Sequence, residues 1–317
     1  MTMGATVLDR SARDSLILLG VLLFMSAQAH AVQLSSAQSL YEEALGRYRA
    51  REYPAAVAAA ARALEQDAGN AAYHHIYGLS LAAVERFREA EEHLNTAITL
   101  KPDEANYHYD FGFVLHQQKK YDRCVPVLKR AVELNGENLM ARFLLGRSYV
   151  SGHRSLMIGN FSELALEQLK YVAEKNPRFP TVHFHIAQIH SNNGFMDKAL
   201  QELKSELQYH PSNAQALVAL GELLLKTGQI KAALEPLLAA ERIAPNISLV
   251  HYTLAKAHRE SEQAEKAIQA ARRSLELDPA AADAHYLLGQ LYQETGQSDL
   301  ARQELELFEK YKSKSQH

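Results

Sequence analysis

The chain has 317 residues, of which 47% are hydrophobic and 22% are charged. This balance is typical of a soluble protein that buries a continuous core, and it excludes extended disorder. A formal net charge of -3, without any run of five basic residues, argues against nucleic acid as the main partner. The single cysteine, Cys124, excludes an intramolecular disulfide and a cysteine-based zinc site.

The N-terminal segment has the order of a secretory signal peptide. Two arginines precede the apolar run LILLGVLLFM at residues 16–25, and Ala29 and Ala31 supply the small residues of an A-x-A cleavage site. The run is about half of the roughly 20 residues that cross a bilayer core, so we expect a signal peptide over residues 1–31, cleaved after Ala31. The alternative is an uncleaved membrane anchor over residues 15–32, a nearly charge-free stretch. Cleavage predicts a periplasmic or extracellular protein, and an anchor predicts a membrane-tethered one.

A period of 34 residues organises the rest of the chain. Closing prolines recur with this spacing at Pro177, Pro211, Pro245 and Pro279. A glycine column keeps the same period at Gly78, Gly112 and Gly146, then resumes 41 residues later at Ala187, so one repeat is seven residues longer. In this register eight units start at Ala37, Ala71, Ala105, Leu139, Pro180, Ala214, Ser248 and Ala282.

Each unit predicts two helices, because the apolar spacing is helical and turn residues such as Gly228 separate the two halves. A second column is small in every unit, at Ala56, Ala90, Cys124, Ala165, Ala199, Ala233, Ala267 and Ala301. Small side chains are needed where two helices cross closely. The column therefore predicts that Cys124 is a buried substitute for alanine rather than a reactive thiol.

These columns resemble the tetratricopeptide repeat family. The resemblance rests on the two small columns, the closing proline, and an aromatic or apolar residue at Tyr53, Phe87, Tyr121 and Ile230. It covers residues 37–312, with a lead-in at 32–36 and a tail at 313–317. It implies an all-α fold, a right-handed α-solenoid superhelix of about eight helix-turn-helix repeats. Ala68 and Gly136 depart from the pattern, since they stand where the closing proline is expected.

Histidine is common at the fourth residue of the unit. This column reads Leu40, His74, His108, Arg142, His183, Leu217, His251 and His285. A residue that recurs by repeat position is expected to pack the first helix rather than to bind a metal. In HFHIAQIH, residues 183–190, no histidine pair has the i, i+4 spacing of a helical zinc site, and His183 and His190 lie about 10.5 Å apart along the axis. We therefore predict no metal ion and no cofactor.

The sequence also predicts that the chain is not an enzyme. It has no nucleophile elbow, no P-loop and no dinucleotide-binding fingerprint following a strand. A hydrolase or metalloenzyme is accordingly the least favoured of the three hypotheses about function.

Stacked helical pairs form a concave side that can hold an extended peptide or a helix. The resemblance implies that the fifth residue of each unit faces this side, a row that reads Tyr41, His75, Tyr109, Phe143, Phe184, Val218, Tyr252 and Tyr286. The predicted partner-binding residues are Tyr41, Tyr109, Phe143, Arg147, Phe184, Gln188, Tyr252, Lys256 and Tyr286. Rigid amphipathic rings suit both recognition and packing, so the sequence leaves both roles open.

The seven-residue insertion falls within VSGHRSLMIGNF, residues 150–161, between the helices of the fourth unit. Its apolar residues Leu156, Met157 and Ile158 predict either a segment tucked against the stack or a binding loop. The predicted function is an exported, non-enzymatic scaffold that binds a protein or peptide partner. The alternative is a membrane-tethered accessory subunit that recruits an envelope or secretion-related enzyme complex.

Overall fold

The computed structural model describes residues 36–152 and 159–314. All regular secondary structure in these two ranges is helical, in sixteen α-helices. None of these helices is long and apolar enough to span a bilayer. The predicted signal peptide, residues 1–31, and the apolar residues 156–158 of the predicted insertion lie outside the described ranges. The all-α class and the repeat architecture are confirmed.

Contacts divide the chain into two compact units, residues 1–159 and residues 160–317, here called unit 1 and unit 2. In unit 1 the helices are α1 (36–49), α2 (Tyr53–Gln66), α3 (Ala71–Ala83), α4 (Phe87–Leu100), α5 (Ala105–Gln117), α6 (Tyr121–Leu134) and α7 (Leu139–Ser151). Helix α3 packs against α4, and α5 packs against α6, as the two arms of successive hairpins.

Unit 2 repeats this arrangement. Its helices are α8 (Phe161–Lys175), α9 (Val182–Asn192), α10 (Met196–Tyr209), α11 (Ala214–Lys226), α12 (Ile230–Ile243), α13 (Ser248–Glu260), α14 (Ala264–Leu277), α15 (Ala282–Glu294) and α16 (Ser298–Lys314). Helices α9 and α10, α11 and α12, α13 and α14, and α15 and α16 form the hairpins.

The first helices begin close to the starts of the sequence repeats. Six of them begin at the residue that the 34-residue register gives, namely Ala71, Ala105, Leu139, Ala214, Ser248 and Ala282. Helix α9 begins at Val182, two residues after Pro180, because Thr181 is in the left-handed region with φ of 62°. The buried carboxylate of Glu206 accepts the backbone N–H groups of Thr181 and Phe184, which satisfies donors at this helix start.

The turn inside each hairpin uses the same backbone geometry. Two positions before a second helix, φ is positive, between 58° and 81°, at Arg51, Glu85, Lys119, Gly194, Gly228, Glu262 and Gly296. Glycine adopts this conformation without steric cost, so its presence at Gly228 matches the backbone that the turn requires.

The core lies where the two helices of a hairpin cross. All eight residues of the small column, from Ala56 to Ala301, are at most 2% exposed. Glycines of the glycine column contact a leucine on the second helix, one turn after the residue of the small column. A Cβ atom placed on Gly221 would lie 2.5 Å from the Cγ and Cδ2 atoms of Leu237, which is closer than atoms can approach. The helices therefore cross at a distance that only small residues permit.

Cys124 occupies this crossing as the sequence predicts. Its side chain is fully buried, and its Sγ donates to the carbonyl oxygen of Gly112 at 3.2 Å. Burial raises the pKa of the thiol to about 11, so the thiol is protonated at neutral pH.

We predict that Ala233→Leu destabilises the protein, because Ala233 is fully buried at the crossing of α11 and α12. Overpacking of this kind costs about 1–3 kcal/mol in the free energy of unfolding. Urea unfolding measures the loss. The matched control is Ala232→Leu, one residue earlier on the same helix and exposed, which should leave the transition near that of the unmodified protein. Equal transitions for the two variants would show that the crossing tolerates a larger side chain.

Candidate partner-binding surface

The first helices of neighbouring repeats lie side by side within each unit. Helix α5 contacts both α3 and α7, and α13 contacts both α11 and α15. Polar side chains join them: the Nε2 of His75 lies 2.8 Å from Asp110, and the guanidinium of Arg259 binds Glu294. The first helices thus form one continuous wall in each unit.

The second, fifth and ninth residues of each repeat form one face of its first helix, because positions i, i+3 and i+7 lie on the same side of a helix. We call this the inner face. All the large apolar residues that are exposed on the described first helices belong to it: Phe113 (41% exposed), Met140 (53%), Leu249 (51%) and Tyr286 (43%). The inner face therefore exposes apolar surface that the fold itself leaves uncovered.

In unit 1, the predicted aromatic row is partly used for packing. Tyr41 is half-buried against Tyr73, with ring centroids 5.3 Å apart. Tyr109 is also half-buried, and burial raises the pKa of its phenol. Phe143 is only 9% exposed, so its ring contributes mainly to the core.

In unit 2, the row changes from buried to exposed along the chain. Phe184 and Val218 are buried, whereas Tyr252 is half-buried and Tyr286 is exposed. The ammonium of Lys256 lies over the ring of Tyr252, 5.6 Å from its centroid. Tyr252 and Tyr286 therefore retain ring surface that a partner can reach.

The predicted polar residues lie beside these rings. The guanidinium carbon of Arg147 is 5.5 Å from the ring centroid of Phe143. Gln188 lines a cavity of about 150 Å³ together with Ser191, Asn192, Glu222 and Lys226. Donors and acceptors of this kind suit the main chain of an extended segment. The structure brings the predicted residues to one wall in each unit, and their role in binding stays a prediction.

The sequence interpretation missed Met140 and Leu249. Each is the second residue of its repeat and lies one helical turn before a residue of the aromatic row. That three-residue offset was a usable signal, because it places both side chains on the face that the row already defined.

The recurrent histidines hold their first helices to the end of the preceding repeat. In five repeats the histidine Nε2 lies 2.7–3.2 Å from the carbonyl oxygen six residues earlier, in the pairs His74–Ala68, His108–Pro102, His183–Pro177, His251–Pro245 and His285–Pro279. A carbonyl only accepts, so Nε2 carries the proton. Arg142 makes the same contact with Gly136 at 2.6 Å. The column therefore has a structural function, as its repetition indicated.

In two repeats, the other ring nitrogen binds a carboxylate on the second helix. The Nδ1 atoms of His183 and His285 lie 2.6 Å from Glu202 and Glu304, each 19 residues further along the chain. A carboxylate and a carbonyl both accept, so such a ring donates to both when both of its nitrogens are protonated. The hydrogen bond to Glu202 raises the pKa of His183.

Cys124 and the neighbouring His116 are not poised for chemistry. Next to Cys124, the Nδ1 of His116 lies 2.9 Å from the hydroxyl of Ser148. Burial and the nearby Arg147 lower the pKa of His116 to about 4. A buried protonated thiol beside a neutral imidazole is not an activated nucleophile. Residues 36–152 and 159–314 contain no group of three side chains that could hold a metal ion.

The fold and this wall of first helices define a helical-repeat protein. Sequence models of known families agree with that class. One described as tetratricopeptide repeat matches residues 41–105 and 186–246, a second with the same description matches 105–138 and 282–314, and one described as TPR repeat matches 255–296. The chain belongs to the tetratricopeptide repeat family. No curated protein matches the chain in sequence.

Solved structures share this fold. A tetratricopeptide repeat protein from Parabacteroides merdae is 12% identical, with a TM-score of 0.62 over 82% of this chain and 99% of that one. PilF of Pseudomonas aeruginosa is 18% identical, with a TM-score of 0.59 over 71% of this chain and 99% of its own. YrrB, described as a protein with an unusual peptide-binding site, is 22% identical, with a TM-score of 0.50 over 60% of this chain and 95% of its own.

We predict that the pairing of His183 with Glu202 makes stability depend on pH. Because the pKa of His183 is raised in the folded state, the pair stabilises the protein fully below the unfolded pKa of about 6.5. This contribution to the free energy of unfolding is lost as pH rises through the folded pKa. Glu202→Gln should therefore cost about 1 kcal/mol near pH 6 and less near pH 9. Urea unfolding at both pH values measures the difference. The exposed Glu174→Gln is the control, and a cost for Glu202→Gln that did not change with pH would contradict the assignment.

Proposed function

We propose that this protein is a non-enzymatic scaffold that binds a protein or peptide partner on the inner faces of its two units. One observation carries the proposal: the exposed large apolar residues on the described first helices all fall on the inner face. Folding does not bury these side chains, and an aqueous surface does not favour them. A partner that covers them would gain the hydrophobic free energy that folding leaves unused.

The chemistry of the inner face suits a polypeptide. Aromatic rings and a methionine provide adaptable apolar contacts, as at Tyr109, Phe113 and Met140 in unit 1. In unit 2, the amides of Gln188 and Asn192 can bind a peptide main chain through both donors and acceptors. The membership of the tetratricopeptide repeat family supports a protein-binding role, and YrrB, which shares the fold, has a peptide-binding site.

The absence of an enzymatic role is part of the proposal. It is supported by the buried thiol of Cys124, whose raised pKa keeps it protonated, and by the assignment of the recurrent histidines to backbone contacts. These residues would otherwise be the main candidates for nucleophilic or acid–base chemistry.

We predict that the triple variant Tyr109→Ala, Phe113→Ala, Met140→Ala weakens capture of the partner from a native extract while the helical fold survives. Truncation of a buried aromatic anchor commonly costs 2 kcal/mol or more, which is about thirtyfold in affinity for one residue. Quantitative pull-down, with circular dichroism for folding, measures the effect.

The matched control replaces exposed apolar residues on second helices, Leu100, Leu238 and Ile243, with alanine. The control should retain the partner. Full retention by the folded inner-face variant, together with loss on mutation of Leu156, Met157 and Ile158, would move the site to the predicted insertion.

We further propose that the protein is exported and that residues 1–31 are removed. The proposal rests on the arginines, the short apolar run and the A-x-A site described above. Intact-mass measurement of protein from its native host should therefore give a chain that starts at Val32. Recovery of only the full-length chain, in the membrane fraction, would instead support the alternative of a tethered accessory subunit held by residues 15–32.

A further inference from the structure

One strip in unit 1 consists of inner-face residues of α5 and α7 and the adjoining His116, and it combines apolar side chains with one cationic side chain. On α5, Tyr109, Phe113 and His116 follow at i, i+4 and i+7, and on α7, Met140, Phe143 and Arg147 follow at i, i+3 and i+7. The two helices contact each other, and the hydrogen bond between His116 and Ser148 joins them near their C-terminal ends. The strip is therefore apolar along most of its length and basic at one end.

Arg147 is the one fixed charge on this face. The inner face of unit 1 has twelve residues, and none of the others is a lysine, arginine, aspartate or glutamate: Gln38, Tyr41, Leu45, Ala72, His75, Leu79, Asn106, Tyr109, Phe113, Met140, Phe143 and Arg147. The guanidinium lies over the ring of Phe143 and has no carboxylate or carbonyl partner within residues 36–152 and 159–314. Its donors can therefore bind an acceptor that a partner supplies.

The inner face of unit 2 differs. Its second, fifth and ninth residues include two acids, Glu222 and Asp283, and one base, Lys256. Charge complementarity therefore favours an anionic group at unit 1 and does not favour one at unit 2.

We propose that the inner face of unit 1 recognises a polypeptide segment in which a carboxylate, bound by Arg147, stands beside apolar side chains that cover Phe113 and Met140. This inference rests on the proposed scaffold function and specifies the chemistry of its partner. A guanidinium binds a carboxylate through two parallel charge-assisted hydrogen bonds, and the surrounding apolar surface excludes water from that contact.

The length of the strip sets the spacing in the partner. Met140 and Arg147 are separated by seven helical residues, which is about 10.5 Å along the axis. A segment in the polyproline II conformation advances about 3.1 Å per residue with three residues per turn, so side chains at i and i+3 lie on the same side, about 9 Å apart. A leucine at i and a glutamate at i+3 satisfy this spacing.

His116 provides an independent report on the contact. Its Nδ1 faces the hydroxyl of Ser148, and its ring meets the ring of Tyr121 edge-on. Burial lowers its pKa most, and the charge of Arg147 lowers it further. A carboxylate bound to Arg147 would neutralise that charge, so the pKa of His116 should rise from about 4 when the segment binds.

The test uses two peptides, acetyl-Leu-Gly-Gly-Glu-amide and the same peptide with glutamine in place of glutamate. Amide and histidine NMR spectra of the protein report the binding. We expect the glutamate peptide to shift the signals of Phe113 and Met140, to bind about tenfold more tightly than the glutamine peptide, and to raise the pKa of His116. Arg147→Gln should remove the preference. Arg62→Gln, which changes an exposed base on α2, should keep it.

The outcomes separate this inference from the proposed function. Equal affinities for the two peptides, with shifts on the inner face, would overturn the carboxylate contact and leave the inner face as a binding surface. Failure of both peptides to shift any signal up to their solubility would overturn the carboxylate contact alone. Shifts confined to the second helices would overturn both proposals. If Arg147→Gln fails to fold, Arg147→Lys, which retains the charge but loses the paired hydrogen bonds, should show a reduced preference for the glutamate peptide.

Discussion

The close crossing of the two helices in each hairpin is the constraint on which the rest of this structure depends. It requires a small residue on both helices, since a Cβ atom at Gly221 would overlap Leu237 and the facing column from Ala56 to Ala301 is buried without exception. The close approach packs each second helix against one side of its first helix and leaves the opposite side of the first helix uncovered. The inner face therefore exists because the crossing is tight.

Polar contacts then hold each repeat against the repeat that precedes it. Five histidines and Arg142 bind carbonyl oxygens at the ends of the preceding repeats, which satisfies acceptors at helix C-termini and loops. Where Glu202 or Glu304 also binds the ring, a carboxylate adds a second contact, and where no acid follows, as at His108, the Nδ1 is buried without a partner. One sequence position thus provides contacts whose strength differs between repeats.

The two units use the same scaffold to present different chemistry. Unit 1 exposes apolar side chains around a single arginine, whereas unit 2 mixes acids, a base and amides with its tyrosines. Because the crossing residues carry the fold, the exposed inner-face residues can vary without affecting the core, and this separation explains how a repeat protein acquires a specific partner.

The sequence by itself determined the all-α repeat architecture, the starts of six first helices and the burial of Cys124, because a 34-residue period and a strictly small column can be read without knowing any contact. It also identified the aromatic row. Only the tertiary structure decided how that row divides, with Phe143 and Phe184 buried and Tyr286 exposed, and it alone revealed the exposure of Met140 and the carbonyl partners of the histidines. The physical reason is that burial and hydrogen-bond partners depend on residues brought together from neighbouring helices, whereas periodicity depends only on positions along one chain.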